Sequence, residues 1–276
     1  MMRLVYNILA SLALLLTLPS IAFANKPTDG GYWLQDAATP VMEELTKLHN
    51  FVFWIILGIT LFVMVMMGWI MYRFSAKRNP TASKTTHHVG LEVAWTIVPI
   101  IILLVMVVPS MRLLYFQDAL PETEMTIKVT GNTWNWEYAY PDYPNVESFI
   151  SNPLEKEDAG DLYLLKTDAS LVVPVDTKIK VLITSSNNLH SFAVPAFGIK
   201  MDAVPGRINE TWFEVNPGKE GTYFGQCSEL CGVNHYKMPI EIEVVSKEEF
   251  QSWVANDGAF TTAVASYDNV SIVAQD

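Results

Sequence analysis

Two long runs without charge constrain the fold of this chain more than any other feature. Phe51 to Tyr72 spans 22 residues, and Val93 to Met111 spans 19 and is ended by Arg112. A helix rising 1.5 Å per residue needs about 20 apolar residues to cross a hydrocarbon core of about 30 Å. Both runs are long enough, which predicts membrane spans at 51–72 and 93–114. A buried globular helix is the alternative for either run alone, but two so close together argue for a hairpin. Trp54 and Trp69 stand near the ends of the first run, where indole rings favour the membrane interface. Thr39-Pro40 has the pattern of an N-cap followed by proline at the first helical position. Pro99 and Pro109 predict a bend in the second span, tolerable where neighbouring groups satisfy the freed carbonyls.

The link between the runs carries Arg73, Lys77, Arg78 and Lys84 and no acid. Cytoplasmic loops collect such positive charge, so both outer ends of the hairpin are expected on the opposite side. His87 and His88 in the link read as solvated loop residues, and His49 before the first span as structural. Residues 1–24 fit a secretory signal peptide. Arg3 supplies the positive start, Ile8 to Leu18 the apolar core, and Ala22-Phe23-Ala24 the small-x-small cleavage site. An uncleaved anchor is the competing reading. Export through a plasma membrane places the region beyond the hairpin in a bacterial periplasm.

Beyond the hairpin the composition changes. The chain carries a formal charge of −11, and from Gln117 onward 24 acidic residues face 10 basic ones. Such a surface argues against nucleic acid, whose phosphates call for Lys and Arg. It suits a basic protein partner drawn in by long-range attraction, although solubility alone also explains it. Alternating apolar residues in Thr126–Thr130, Lys178–Ile183 and Ile240–Val245 predict strands. Trp212–Val215 and Thr222–Gly225 read as two more. Pro205-Gly206 and Asn216-Pro217-Gly218 supply turns. The pattern is that of an all-β sandwich or small barrel. Residues 141–161 read as a long loop and Lys247–Trp253 as a short helix. The organisation expected is therefore a signal peptide at 1–24 and an N-terminal segment with two spans at 25–117. An external β domain occupies 118–250, and a C-terminal tail 251–276.

The two cysteines of the chain lie four positions apart in Gly225-Gln226-Cys227-Ser228-Glu229-Leu230-Cys231-Gly232-Val233-Asn234-His235-Tyr236-Lys237-Met238. Thiolate and thioether select copper, and imidazole suits it. His190 is the only other histidine in the β domain and is the candidate for a further ligand. A Cys227–Cys231 disulfide would account for two cysteines in an exported domain, but not for His235 and Met238 at loop spacing. A structural zinc site would use the thiols and imidazoles, but methionine suits zinc poorly. A mononuclear copper site leaves one thiol unused.

The segment Gly225–Met238 closely resembles the copper loop of cytochrome c oxidase subunit II, the CuA centre. Leu91-Glu92-Val93-Ala94-Trp95-Thr96-Ile97-Val98-Pro99 looks like that family's approach to its second span. Gly131-Asn132-Thr133-Trp134-Asn135-Trp136-Glu137-Tyr138 resembles its aromatic segment, and Lys200–Arg207 a further family stretch. The likeness covers about residues 40–250. It implies a cupredoxin-like external domain with two copper ions bridged by Cys227 and Cys231. His190 and His235 would each cap one ion, with Met238 and the Glu229 backbone carbonyl as weak ligands. The Glu229 side chain would contribute to a magnesium site shared with subunit I. Trp134 would be the point where electrons arrive from cytochrome c, with Trp136 as the competing candidate. Glu92 would stand at the mouth of a proton pathway in subunit I, although a glutamate at a helix start also suits the helix dipole. The family's activity is passage of electrons from cytochrome c to haem in subunit I, where oxygen is reduced to water, within a complex of further oxidase subunits. Quinol oxidase subunits share the architecture but lack the copper ligands. A membrane-tethered copper carrier or assembly protein is the leading alternative function. No Cys-x-x-Cys-His haem attachment motif occurs.

Overall fold

The structure, a computed structural model, describes residues 26–28 and 30–259. The signal peptide expected at 1–24 and the tail beyond residue 259 lie outside the described residues. Two long helices come first, α1 (Pro40–Arg73) and α2 (Val89–Asp118). Both are long and apolar enough to cross a membrane. Apolar side chains such as Trp54, Phe62, Val65, Leu103 and Leu104 are exposed among the described residues. A helix apolar on all sides belongs in lipid or among other membrane helices.

α1 starts well before its uncharged run because Thr39 caps it, accepting a hydrogen bond from the Met42 N–H at 3.1 Å. α2 begins at a less expected cap. His88 takes the N-cap position, its Nδ1 accepting from the Leu91 N–H at 3.2 Å, while Glu92 Oε1 accepts from the His88 N–H at 3.1 Å. This reciprocal pair satisfies two amides that helix geometry leaves open. α2 runs through both Pro99 and Pro109.

Ten strands make up the rest of the domain: β1 (Met125–Asn132), β2 (Asn135–Ala139), β3 (Phe149–Ser151), β4 (Leu171–Pro174), β5 (Ile179–Ser185), β6 (His190–Val194), β7 (Ile199–Ala203), β8 (Asn209–Phe213), β9 (Gly221–Cys227) and β10 (Pro239–Val245). A short helix α3 (Lys156–Ala159) precedes β4, and α4 (Lys247–Ala255) closes the described chain. One sheet has the order β3-β2-β1-β5-β8 and the other β4-β10-β9-β6-β7. β1 runs parallel to β5, and β4 parallel to β10, so each sheet mixes parallel and antiparallel neighbours. The inward positions of β1 and β5 alternate strictly, burying Ile127 and Val129 beside Ile179, Val181 and Ile183. This is the two-layer sandwich the alternation predicts, and its cupredoxin-like character is what the family resemblance implies.

Several elements differ from the sequence reading. The stretch 141–161 contains β3 and α3 rather than loop alone. β8 ends at Phe213, so the strand expected at 212–215 lies earlier than its composition suggests. His190 follows β5 and also opens a strand of its own, β6, which the sequence reading did not include. The core also takes in residues ahead of the first span: Ala38, Val41 and Met42 are buried against the sandwich.

Candidate metal centre

The centre sits where β6 meets the loop between β9 and β10. β9 delivers Cys227 at its last residue, and β10 starts just after Met238. The loop stem is closed by the Cys227 N–H donating to the Met238 carbonyl at 3.0 Å. The next amide, Ser228 N–H, donates across to the Ser191 carbonyl at 2.9 Å, binding the loop to β6. β6 and β9 pair antiparallel with Phe192 opposite Cys227. These bonds fix where the donor side chains start.

All six groups named from the sequence converge. Cys227 Sγ lies 3.8 Å from Cys231 Sγ, 3.9 Å from His190 Nδ1 and 3.4 Å from the Glu229 carbonyl. Cys231 Sγ lies 3.6 Å from His235 Nδ1 and 3.9 Å from Met238 Sδ. His190, Cys227 and Cys231 together have the spacing of a metal-binding group. Each thiol thus has one imidazole and one weaker donor beside it. Both cysteines are free and buried. Their sulfurs are far beyond the disulfide bond length of about 2.05 Å, and the two soft sulfurs instead offer a shared edge to a metal. The donor set is thiol-rich with a thioether, which favours copper over zinc or magnesium.

Burial sets the proton state of Cys231 and His190. It pushes the Cys231 thiol up to about 12, and the neighbouring Cys227 adds to the shift. It also lowers His190 below its usual value, with His235 contributing in the same direction. At neutral pH the imidazole therefore presents a lone pair while the thiol holds its proton. A thiophilic metal binding here releases protons, so its affinity rises with pH.

Residues to which the sequence reading gave no role hold these donor side chains. Asn187 Oδ1 lies 3.1 Å from His190 Nε2, leaving Nδ1 directed at the cysteines. Asn188 Nδ2 donates to the Cys231 carbonyl at 2.8 Å. Gly131 leaves room for the His190 ring, since a Cβ there would lie 2.9 Å from Cδ2. The signal available for the asparagines was their position directly before Leu189-His190. For Gly131 the signal was its place at the head of the aromatic segment, which carries no hint of its approach to His190.

The two tryptophans separate clearly. Trp136 is fully buried, its ring edge-on to His190 at 6.0 Å and to Phe192 at 5.4 Å. Trp134 is half-buried, and its Nε1 donates to the Cys231 carbonyl at 3.1 Å. Its ring packs over Gly232, whose φ of +120° and lack of Cβ permit the approach. The Glu229 side chain is exposed on the loop. Glu92 is not part of this cluster, and its carboxylate accepts from the His88 N–H at the start of α2.

Residues 125–245 match the family described as Cytochrome C oxidase subunit II, periplasmic domain, and residues 27–113 match its transmembrane domain. The chain belongs to the cytochrome c oxidase subunit II family. It is a membrane subunit of cytochrome c oxidase, and membership of that family implies copper. Probable cytochrome c oxidase subunit 2 of Rickettsia felis is 48% identical over 244 residues, covering 87% of this chain and 76% of the relative. Cytochrome c oxidase subunit 2 of Cereibacter sphaeroides is 40% identical, covering 90% of this chain and 87% of its own. Among solved structures, the periplasmic domain of subunit II of cytochrome oxidase (CoxB) of Bradyrhizobium japonicum is 47% identical. That match covers 50% of this chain and 96% of the other, with a TM-score of 0.46.

Proposed function

We propose that this subunit is where electrons from cytochrome c enter the oxidase on their way to haem in subunit I. In this reading His190, Cys227, the Glu229 carbonyl, Cys231, His235 and Met238 hold two copper ions as a CuA centre. The observation that carries it is the convergence of two thiols, two imidazoles, a thioether and a carbonyl through successive distances of 3.4–3.9 Å. When bound, the copper pair supplies a one-electron carrier whose charge is spread over both ions. The protein's part is rigidity. The closed loop stem, the β6–β9 pairing and the asparagine contacts hold the donors in one arrangement, so little has to move as the charge changes.

Trp134 supports the reading from the surface side. It is only half-buried, and its indole N–H reaches the Cys231 carbonyl, whereas Trp136 is sealed in the core. In the same reading the exposed Glu229 carboxylate shares a magnesium ion with subunit I, since magnesium takes hard oxygen ligands. Glu92, at the start of α2, is assigned to the mouth of a proton pathway in subunit I. The basic link between the spans faces the cytoplasm, and the β domain lies on the periplasmic side of a bacterial plasma membrane.

Metal content and electron paramagnetic resonance of the purified copper-loaded protein test the proposal. Two coppers per chain sharing one unpaired electron are expected. One localised copper would point instead to a copper carrier. The acidic domain adds a kinetic expectation. Oxidation of a basic cytochrome c should slow steeply with ionic strength, because a Debye length of about 10 Å at 0.1 M shortens to about 3 Å at 1 M. Turnover unchanged by salt, where association limits the rate, would count against acidic docking.

A further inference from the structure

The first span does more than lead toward the β domain; its N-terminus is built into it. Thr39 is 0% exposed. Its Oγ1 donates to the Phe197 carbonyl at 2.7 Å and accepts from the Met42 N–H at 3.1 Å. One hydroxyl therefore caps α1 and ties that cap to the sandwich. The neighbouring backbone joins in. The Ala38 N–H donates to the Ala196 carbonyl at 2.9 Å, and the Ala38 carbonyl accepts from the Asn216 N–H at 2.8 Å. The Asn216 side-chain amide donates to Glu43 Oε1 at 2.7 Å, on the first turn of the helix. Gly198, with φ +70°, lets the two backbones abut, since a Cβ there would lie 3.0 Å from Met42 Cα.

The position of this clamp matters more than its strength. Phe197 lies at the end of a single turn, Pro195–Phe197, directly after β6. β6 starts at His190, so about 13 Å of strand, at about 3.3 Å per residue, leads from the metal donor to that turn. The same strand pairs with β9 at Cys227. Only β-structure and one tight turn thus separate the N-cap of α1 from two of the metal donors. The other connection bonds at its far end, where the Glu124 N–H donates to the Lys178 carbonyl at 2.9 Å and Glu124 Oε1 accepts from the Lys178 N–H at 3.2 Å. α2 ends at Asp118 and reaches β1 through residues 119–124, steadied by Phe116 standing edge-on to Trp212 at 5.6 Å.

We propose that Thr39 is a positioning residue for electron transfer. By locking the first span to the strand that carries His190, it holds the metal centre at a fixed height and tilt above the membrane. The inference rests on the reading of that centre as the oxidase's electron-accepting copper pair. Electron transfer weakens steeply with separation, so a domain able to rock on its stalk spends time where transfer to the membrane partner is slow. Thr39→Val keeps the shape and removes both hydrogen bonds. Thr39→Ser keeps the hydroxyl.

The test uses the intact oxidase with three measurements on each variant. Hydrogen exchange of the 38–47 peptide reads the clamp without reference to copper. The resonance spectrum reads the centre. Photoreduction of the copper centre and its subsequent reoxidation read transfer to the next carrier. In Thr39→Val, exchange should quicken about fivefold, the equilibrium equivalent of losing an N-cap bond. The copper spectrum should stay native while transfer slows severalfold, and Thr39→Ser should restore both. Asn216→Ala, which breaks only the side-chain bond to Glu43, should give a smaller change in the same direction. It decides the matter by the same measurements if Thr39→Val does not assemble. Faster exchange with a native transfer rate would overturn the proposal, as would loss of the copper spectrum along with the clamp. Absence of a two-copper signal in the unmodified oxidase would sink the functional reading and the proposal with it. That outcome is distinguishable, because the exchange result would stand unchanged.

Discussion

Replacing Cys227 with serine is expected to abolish the paired-copper signal and the oxidation of cytochrome c together. Cys227 Sγ stands 3.8 Å from Cys231 Sγ, between His190 Nδ1 and the Glu229 carbonyl. Serine fits the same space but offers a hard, weakly acidic hydroxyl where copper calls for a soft thiolate. One sulfur cannot form the shared edge, so at most one localised copper should remain. The loss of turnover should exceed the roughly 10–100-fold typical of removing a mere supporting partner of a metal ligand. The fold should survive, because the backbone bonds of Cys227 and Ser228 to Met238 and Ser191 do not involve the sulfur. Resonance spectroscopy, copper content and turnover check this together. An unchanged delocalised spectrum would rule out bridging by Cys227.

Gly225→Ala should strike the same centre through packing rather than coordination. A Cβ at Gly225 would lie 2.2 Å from the Ala193 carbonyl oxygen and 3.1 Å from Val194 Cγ2. The first obstacle is backbone and has no rotamer to change. β6 and β9 must move apart at the positions where Ala193 faces Gln226 and Phe192 faces Cys227. Overpacking of this kind costs about 1–3 kcal/mol, occasionally more, and a backbone clash belongs at the upper end. Separating the strands also carries His190 away from Cys227. A melting temperature lower by several degrees and substoichiometric copper are therefore expected. Gly58→Ala serves as the control, since nothing lies within 4 Å of the Cβ it would add. A Gly225→Ala protein with native melting and full copper content would show that the two strands can separate without cost to the site.

The two substitutions mark different kinds of information. The metal loop is local: two thiols, an imidazole and a thioether fall within twelve residues, and their chemistry narrows the metal wherever the loop is placed. The hairpin is equally local, because uncharged length and flanking charge are properties of a contiguous run. Thr39-Pro40 announced its helix cap for the same reason. The importance of Gly225 is different in kind. Nothing near it in the chain indicates that Ala193, thirty-two positions earlier, approaches within van der Waals reach.

The same limit explains the elements that sequence reasoning missed. β6 is brief, and its inward and outward faces do not alternate, because four of its five residues are buried. Burial on both sides erases the period on which strand recognition depends. Likewise, Trp134 and Trp136 differ by two positions and share a residue type, yet one is sealed in the core and the other bonds the Cys231 carbonyl from the surface. An alternating strand sends i and i+2 to the same face. The difference arises because β1 ends at Asn132 and β2 begins only at Asn135, so Trp134 lies in the turn rather than on the strand.

From residues alone, then, come the membrane hairpin, the β character of the domain and the soft donor set, each written in short-range pattern and composition. The asparagine supports, the glycine clearances and the clamp of Thr39 onto Phe197 come only with the folded chain, as does the path by which β6 brings His190, already a candidate ligand, to the cysteine loop. Each depends on contacts between segments far apart in sequence, and such contacts are made by the pairing and packing of the sheets, which no local window contains.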